Sequence, residues 1–182
     1  MHYLSAIAIT AATGLIGLVA HFSGLTTSAP KETAGKWYTW EEAVELNKTK
    51  PKKIVVDVYT DWCGWCKKMD KAAFSNGEIT QYMADNFYPV KLNAEQRDRI
   101  IFGRDTFAFV ETENGRGVHT LAYALLDGKM GYPTLVYLDQ DFRRIMISPG
   151  YKEKDDLMKE LKFAKEEIYN KKSWDEYRDQ GE

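Results

Sequence analysis

Hydrophobic and polar positions along the chain fall into blocks of changing period, and the first block is unlike the rest. Residues 4 to 20 (LSAIAITAATGLIGLVA) carry no charge, and the first lysine is Lys31. A run of this length exceeds most signal-peptide cores and reaches the lower edge of a bilayer span, so residues 1–22 are expected to form a signal peptide or an N-terminal membrane anchor. The small-residue site Thr27-Ser28-Ala29 is followed directly by Pro30, which disfavours cleavage there and leaves both alternatives open. Residues 23–36 (SGLTTSAPKETAGK) have the small, polar composition of a linker. The remainder divides into a domain over 37–170 and a charged tail over 171–182 that is expected to fray.

Within the domain, Thr39 followed by Trp40, Glu41 and Glu42 predicts a capped helix ending between Lys48 and Pro51. KIVVDVYT (53–60) is a β-branched run with polar ends, the pattern of a strand buried on both faces, and Asp57 is conspicuous inside it. Helices are predicted over Cys66–Phe74 and Asn76–Asn86, followed by a second buried strand, YPVKLN (88–93). Residues 94–115 break the rhythm, with two apolar runs flanking Gly103-Arg104-Asp105 as in a surface hairpin. A short helix over Gly117–Leu126, stopped by Gly128, leads to TLVYLD (134–139) and FRRIMIS (142–148), an antiparallel pair. The last helix starts near Lys152 and carries Leu157, Leu161, Ala164 and Ile168 as one apolar stripe. This order of elements predicts an α/β class with a central mixed β-sheet flanked by helices. Tyr82, Phe87, Tyr123 and Tyr137 are assigned to the core.

Composition narrows the function. The 182 residues are 44% hydrophobic, with 25 basic and 27 acidic residues and a formal charge of -2, so nucleic acid is excluded as an expected partner. The chemistry is concentrated in DWCGWCKKM (61–69), which holds both cysteines of the chain. A single bridge over so short a gap stabilises the fold very little. Structural zinc would need two further ligands, yet the histidines are His2, His21 and His119, two of them in the leader, so no metal and no bound cofactor are expected. A redox dithiol fits better. A helix N-terminus following a buried strand stabilises a thiolate at Cys63, the nucleophile, and Cys66, one turn later, resolves the mixed disulfide. A buried Asp57 would exchange the Cys66 proton near neutrality, the alternative being a strand-edge Asp facing solvent, and Lys91 on the next strand is either its countercharge or a surface lysine at the strand end.

These residues resemble the thioredoxin family. VVDVYTDWCGWCKKM is similar to the thioredoxin signature, with Asp57 six positions before Cys63; KLN (91–93), GYPT (131–134) and Gly150 of SPGY match further family motifs in order. The resemblance covers about residues 37–168 and implies the thioredoxin fold with an insertion before the cis-proline loop. It also implies that Pro133 is cis beside the cysteines and that Trp62, Gly64, Trp65, Tyr132 and Pro133 form the substrate-binding rim, with Tyr132 offering its backbone. Trp65 stands where thioredoxin has proline, which leaves the redox potential open. The leader and WCGWCKKM resemble bacterial envelope thioredoxin-like proteins, which implies an extracytoplasmic monomer acting on protein disulfides and recharged by a membrane electron donor. The direction as a reductant or isomerase has two rivals, a disulfide-forming oxidant and a binding module with an incidental dithiol. Lys31 and Lys36 follow the apolar run, so charge alone does not orient the domain outward. Trp62 is expected to shield the site, and Trp65 either to join the docking surface or to pack on its helix. His119 is expected at the surface or as a cap. The 94–115 insertion either caps the active site or covers a sheet edge.

Overall fold

In the computed structural model, which describes residues 34–111 and 115–179, the fold starts at helix α1 (Trp40–Thr49). Thr39 Oγ1 accepts the Glu42 N–H and the Glu42 carboxylate accepts the Thr39 N–H, a reciprocal cap that fixes the start of α1. There follow β1 (Lys53–Tyr59), α2 (Gly64–Met69), α3 (Gly77–Asn86) and β2 (Phe87–Asn93). Between β2 and the cis-proline loop lie β3 (Ile100–Phe102), β4 (Asp105–Phe107), β5 (Phe109–Glu111), β6 (Gly117–His119) and α4 (Thr120–Leu125). The chain then runs through β7 (Thr134–Leu138), β8 (Arg144–Pro149), α5 (Lys154–Lys165) and α6 (Trp174–Arg178). The expected leader and most of the expected linker lie outside the described residues.

The sheet has the order β2-β1-β7-β8, with β1 parallel to β2 and antiparallel to β7, and β7 antiparallel to β8. It is the mixed, helix-flanked sheet that the element order predicts. Strand alternation divides the core. Ile54, Val56 and Val58 pack with Trp40, Ala43, Leu121 and Ala122 on the α1/α4 face, while Val55 packs with Met69, Ile79, Leu157 and Leu161 on the face of α2, α3 and α5. Asp57, in phase with Val55, therefore points toward α2.

Several elements differ from expectation for identifiable reasons. The helix expected over Cys66–Phe74 is α-helical only to Met69 and then widens into a π-turn over Asp70–Phe74, which carries both Ala73 and Phe74 into the core. The expected hairpin about Gly103 forms as β3–β4, with Gly103 at φ 64 in a two-residue turn. A second hairpin, β5–β6, takes Gly117–His119 out of the expected helix, so α4 begins only at Thr120. Tyr123 is 54% exposed, outside the core assigned to it, and Tyr82 is half-buried, whereas Phe87 and Tyr137 are fully buried. Ile168 drops out of the α5 stripe because Glu167, at φ 56, ends the helical path. The tail expected to fray instead forms α6 behind a Ser173–Glu176 capping box, with Trp174 and Tyr177 5.3 and 5.4 Å from the Phe163 ring.

Leu161 is fully buried under α5. Leu161→Ala is predicted to cost about 2–5 kcal/mol in denaturant unfolding, while the exposed Val110→Ala stays within about 0.5 kcal/mol. Equal losses in the two variants would contradict this placement of the core.

Candidate active site

The site begins where β1 ends. The Cys63 N–H donates to the Thr60 carbonyl (3.1 Å) and turns the chain out of the sheet, so that Cys63 becomes the N-cap of α2. Its Sγ accepts the Cys66 N–H at 3.0 Å, one of the donors that the first helical turn leaves free. Cys63 and Cys66 are joined in a disulfide, with Cα atoms 5.3 Å apart, and are only 4% and 2% exposed. Gly64 opens α2, and a Cβ there would project into open space.

Beneath α2 lies Asp57. Its register neighbour across the parallel pair is Lys91, whose Nζ is 2.6 Å from Asp57 Oδ2 and also donates to Asp70 Oδ1. Lys91 is held in an aromatic frame, its Nζ 4.8 Å from the Trp37 ring centre and 5.2 Å from those of Tyr59 and Phe74. Asp57 Oδ1 is buried and, among the described residues, has no hydrogen-bond partner. Burial raises the Asp57 carboxyl above its ordinary value; the charge and hydrogen bond of Lys91 pull it down, Asp70 pushes it up, and burial prevails. For Lys91 burial lowers the ammonium pKa, but Asp57 and Asp70 together outweigh it and leave the pKa raised.

The Tyr132–Pro133 peptide is cis and leads into β7. Pro133 O accepts the N–H of Gly150, at φ 89 a position that favours glycine, at 2.8 Å. The Tyr132 ring meets Trp62 edge-on at 5.8 Å, which brings the cis-proline loop against the residue preceding Cys63. Trp62 is 67% exposed, and its Nε1–H donates to both carboxylate oxygens of Glu95 at 3.0 and 3.1 Å. Trp65 is 57% exposed and lies 5.5 Å from Tyr151, with Lys68 over both rings.

His119 is fully buried and caps α4, so of its two expected placements the cap applies and the surface does not. Its Nδ1 accepts the Leu121 N–H and its Nε2 lies 3.0 Å from the Asp98 carbonyl, which assigns the neutral Nε2–H tautomer. Burial holds its pKa below the ordinary value despite the opposing pull of the Asp98 carbonyl. Two neighbours of the site, Asp70 and Glu95, carry little signal in the sequence. Asp70 lies four residues after Cys66, a helical spacing that could have suggested it, whereas Glu95 follows the strand in a loop and gives no periodic signal. Among the described residues no cluster of His, Cys, Asp or Glu suits a metal ion, and no helix is long and apolar enough to cross a membrane.

A Cys-X-X-Cys disulfide at a helix N-terminus, a cis-proline loop and a mixed four-stranded sheet define a thioredoxin-fold protein with a redox-type cysteine pair. The family described as "Protein of unknown function, DUF255" (Thioredox_DsbH) matches residues 28–181, and the chain belongs to it. Solved structures with the same fold include a DsbH oxidoreductase, at 20% identity and a TM-score of 0.52, covering 78% of this chain and 92% of that one. A thioredoxin from Thermus thermophilus has 18% identity and a TM-score of 0.52, covering 71% of this chain and 86% of that one. A thioredoxin-fold protein from Helicobacter pylori has 21% identity and a TM-score of 0.54, covering 69% and 78%. "Uncharacterized protein B0495.5" of Caenorhabditis elegans is 30% identical over 110 residues, 60% of this chain and 13% of that protein. Human "Spermatogenesis-associated protein 20" is 34% identical over 62 residues, 34% of this chain and 8% of that protein. The chain thus spans a small fraction of the length of these two relatives.

The raised Asp57 pKa sets a sign for stability against pH. Above the ordinary value of 3.8 and up to the folded pKa, the native state binds the proton more tightly than the unfolded chain, so this group's contribution worsens as pH rises. Stabilisation from the raised Lys91 pKa is lost only as pH rises past about 10.5, outside this window. Asp57→Asn removes the Asp57 slope. In denaturant melts of the oxidised proteins, the variant's stability relative to the parent is predicted to shift in its favour as pH rises above the ordinary carboxyl value of 3.8. A difference independent of pH would contradict this assignment.

Proposed function

We propose that the protein is a thiol-disulfide oxidoreductase that reduces or isomerises protein disulfides outside the cytoplasm. The observation that carries this reading is the joint placement of three groups: Cys63 Sγ on a helix-terminal N–H, Cys66 paired with it, and a buried carboxylate on the α2 face with one oxygen free. In the reduced protein the same N–H stabilises a Cys63 thiolate. That thiolate attacks one sulfur of a substrate disulfide; a mixed disulfide forms and the first substrate thiolate leaves. Cys66 gives its proton to Asp57, directly or through a water, and its sulfur attacks Cys63 Sγ. The second substrate thiolate leaves, and two electrons have passed from the protein to the substrate. Lys91 fixes Asp57 Oδ2 and keeps the carboxylate from becoming too weak an acid to release the proton in the reverse step.

The rim residues Trp62, Gly64, Trp65, Tyr132 and Pro133 receive the substrate chain, with the backbone at Tyr132 pairing alongside it. No cofactor takes part. The uncharged run at 4–20 supports action beyond the cytoplasmic membrane, and a protein spent there as a reductant needs a membrane electron donor. Cys63→Ser is predicted to abolish insulin-disulfide reduction, and Cys66→Ser to accumulate mixed disulfides with substrates in cells, read by mass spectrometry after acid quenching. Full reductase activity in Cys63→Ser would exclude the mechanism, and absence of trapped adducts in Cys66→Ser would exclude protein disulfides as substrates.

A further inference from the structure

The inserted segment builds a feature of its own beside the dithiol. An open cleft of about 720 Å³ runs from Asp61 and Trp62 of the cysteine loop, past Glu95 and Arg97, to Phe109 and Arg116 of the β5–β6 hairpin. Its walls are tied to the central sheet. The Ala94 N–H donates to the Tyr59 carbonyl at 2.8 Å, the Ala94 carbonyl accepts the His119 N–H at 2.7 Å, and buried His119 caps α4.

The two ends of the cleft differ in charge and in what already occupies their side chains. Beside the cysteines, Glu95 is engaged by the Trp62 indole and Asp61 by the Asn93 amide. At the hairpin end the Arg97 guanidinium carbon lies 4.3 Å from the centre of the Phe109 ring. That ring in turn sits against Gly117 so closely that a Cβ there would fall 2.2 Å from its Cζ. Among the described residues no carboxylate pairs with Arg97. A planar cation is thus held on a built platform, open to solvent and, among the described residues, without a carboxylate partner, at one end of a cleft whose other end is the residue before Cys63.

We infer that this cleft docks the polypeptide segment adjoining a substrate's disulfide, and that Arg97 selects an acidic side chain in that segment. The inference rests on the disulfide-exchange reading above and adds the substrate's chemistry to it. An extended chain suits the site because the cleft is open and leads to exposed Trp62, whereas a low-mass disulfide would reach the cysteines without touching Arg97.

Two synthetic peptide disulfides, identical except for a block of Glu or of Lys beside the cysteine, separate the outcomes when reduced by the full chain. The Glu peptide is expected to react roughly fivefold faster, the scale of one partly exposed charge pair, with the advantage fading at high salt. Arg97→Glu should reverse the preference and leave the rate with hydroxyethyl disulfide unchanged. Equal rates for the two peptides, or a preference that survives Arg97→Glu, would overturn the inference. Calorimetric binding of the same peptides with Ser in place of Cys supplies an independent reading: tighter binding of the Glu peptide, lost in Arg97→Glu, supports the docking site. If no disulfide is reduced at all, the exchange reading fails, and the binding comparison still decides for or against the cleft.

Discussion

A carboxylate inside an apolar strand is unfavourable unless something compensates its lost hydration, and the arrangement of this domain follows from how Asp57 is accommodated. Lys91 reaches it because the parallel register of β1 and β2 sets the two residues side by side. The ammonium is steadied by Asp70 and by three aromatic rings. Only one carboxylate oxygen is matched. The other stays buried and, among the described residues, without a partner, a cost of roughly 1–3 kcal/mol that a purely structural core would have removed. Its place on the face of α2, the helix that carries Cys66, is where the proton exchange proposed above would use that oxygen.

The central elements were legible because their signals are long or anomalous. β1 is a continuous β-branched run, α1 announces itself through Thr39 and Glu42, and Asp57 stands out as the polar residue in an apolar stretch. The cis bond before Pro133 was legible only through the resemblance, since an isolated X-Pro bond is ordinarily trans.

What could not be read shares a physical character. Strands of three residues, such as β5 and β6, are too short to show a period, so in the sequence Gly117–His119 merges with the helix it precedes. Tyr123 carries an aromatic side chain on a helix of six residues, where hydrophobicity does not reveal which side faces out. α6 is held by Trp174 and Tyr177 packing on Phe163, a tertiary contact that outweighs the charge of KKSWDEYRDQGE. Glu95 binds Trp62 across the site and Arg97 rides on Phe109 from another hairpin, both long-range placements that only the folded chain brings about.

The equilibrium reduction potential of the Cys63–Cys66 pair tests the central claim most directly, by titration in redox buffers with thiol alkylation and mass readout. Reversible interconversion of the disulfide and the dithiol, with a midpoint near or below about -250 mV, is the result that a protein reductant requires. A midpoint near about -120 mV would make the protein an oxidant and contradict the proposed direction. A pair that fails to interconvert at any buffer poise would contradict the redox function itself.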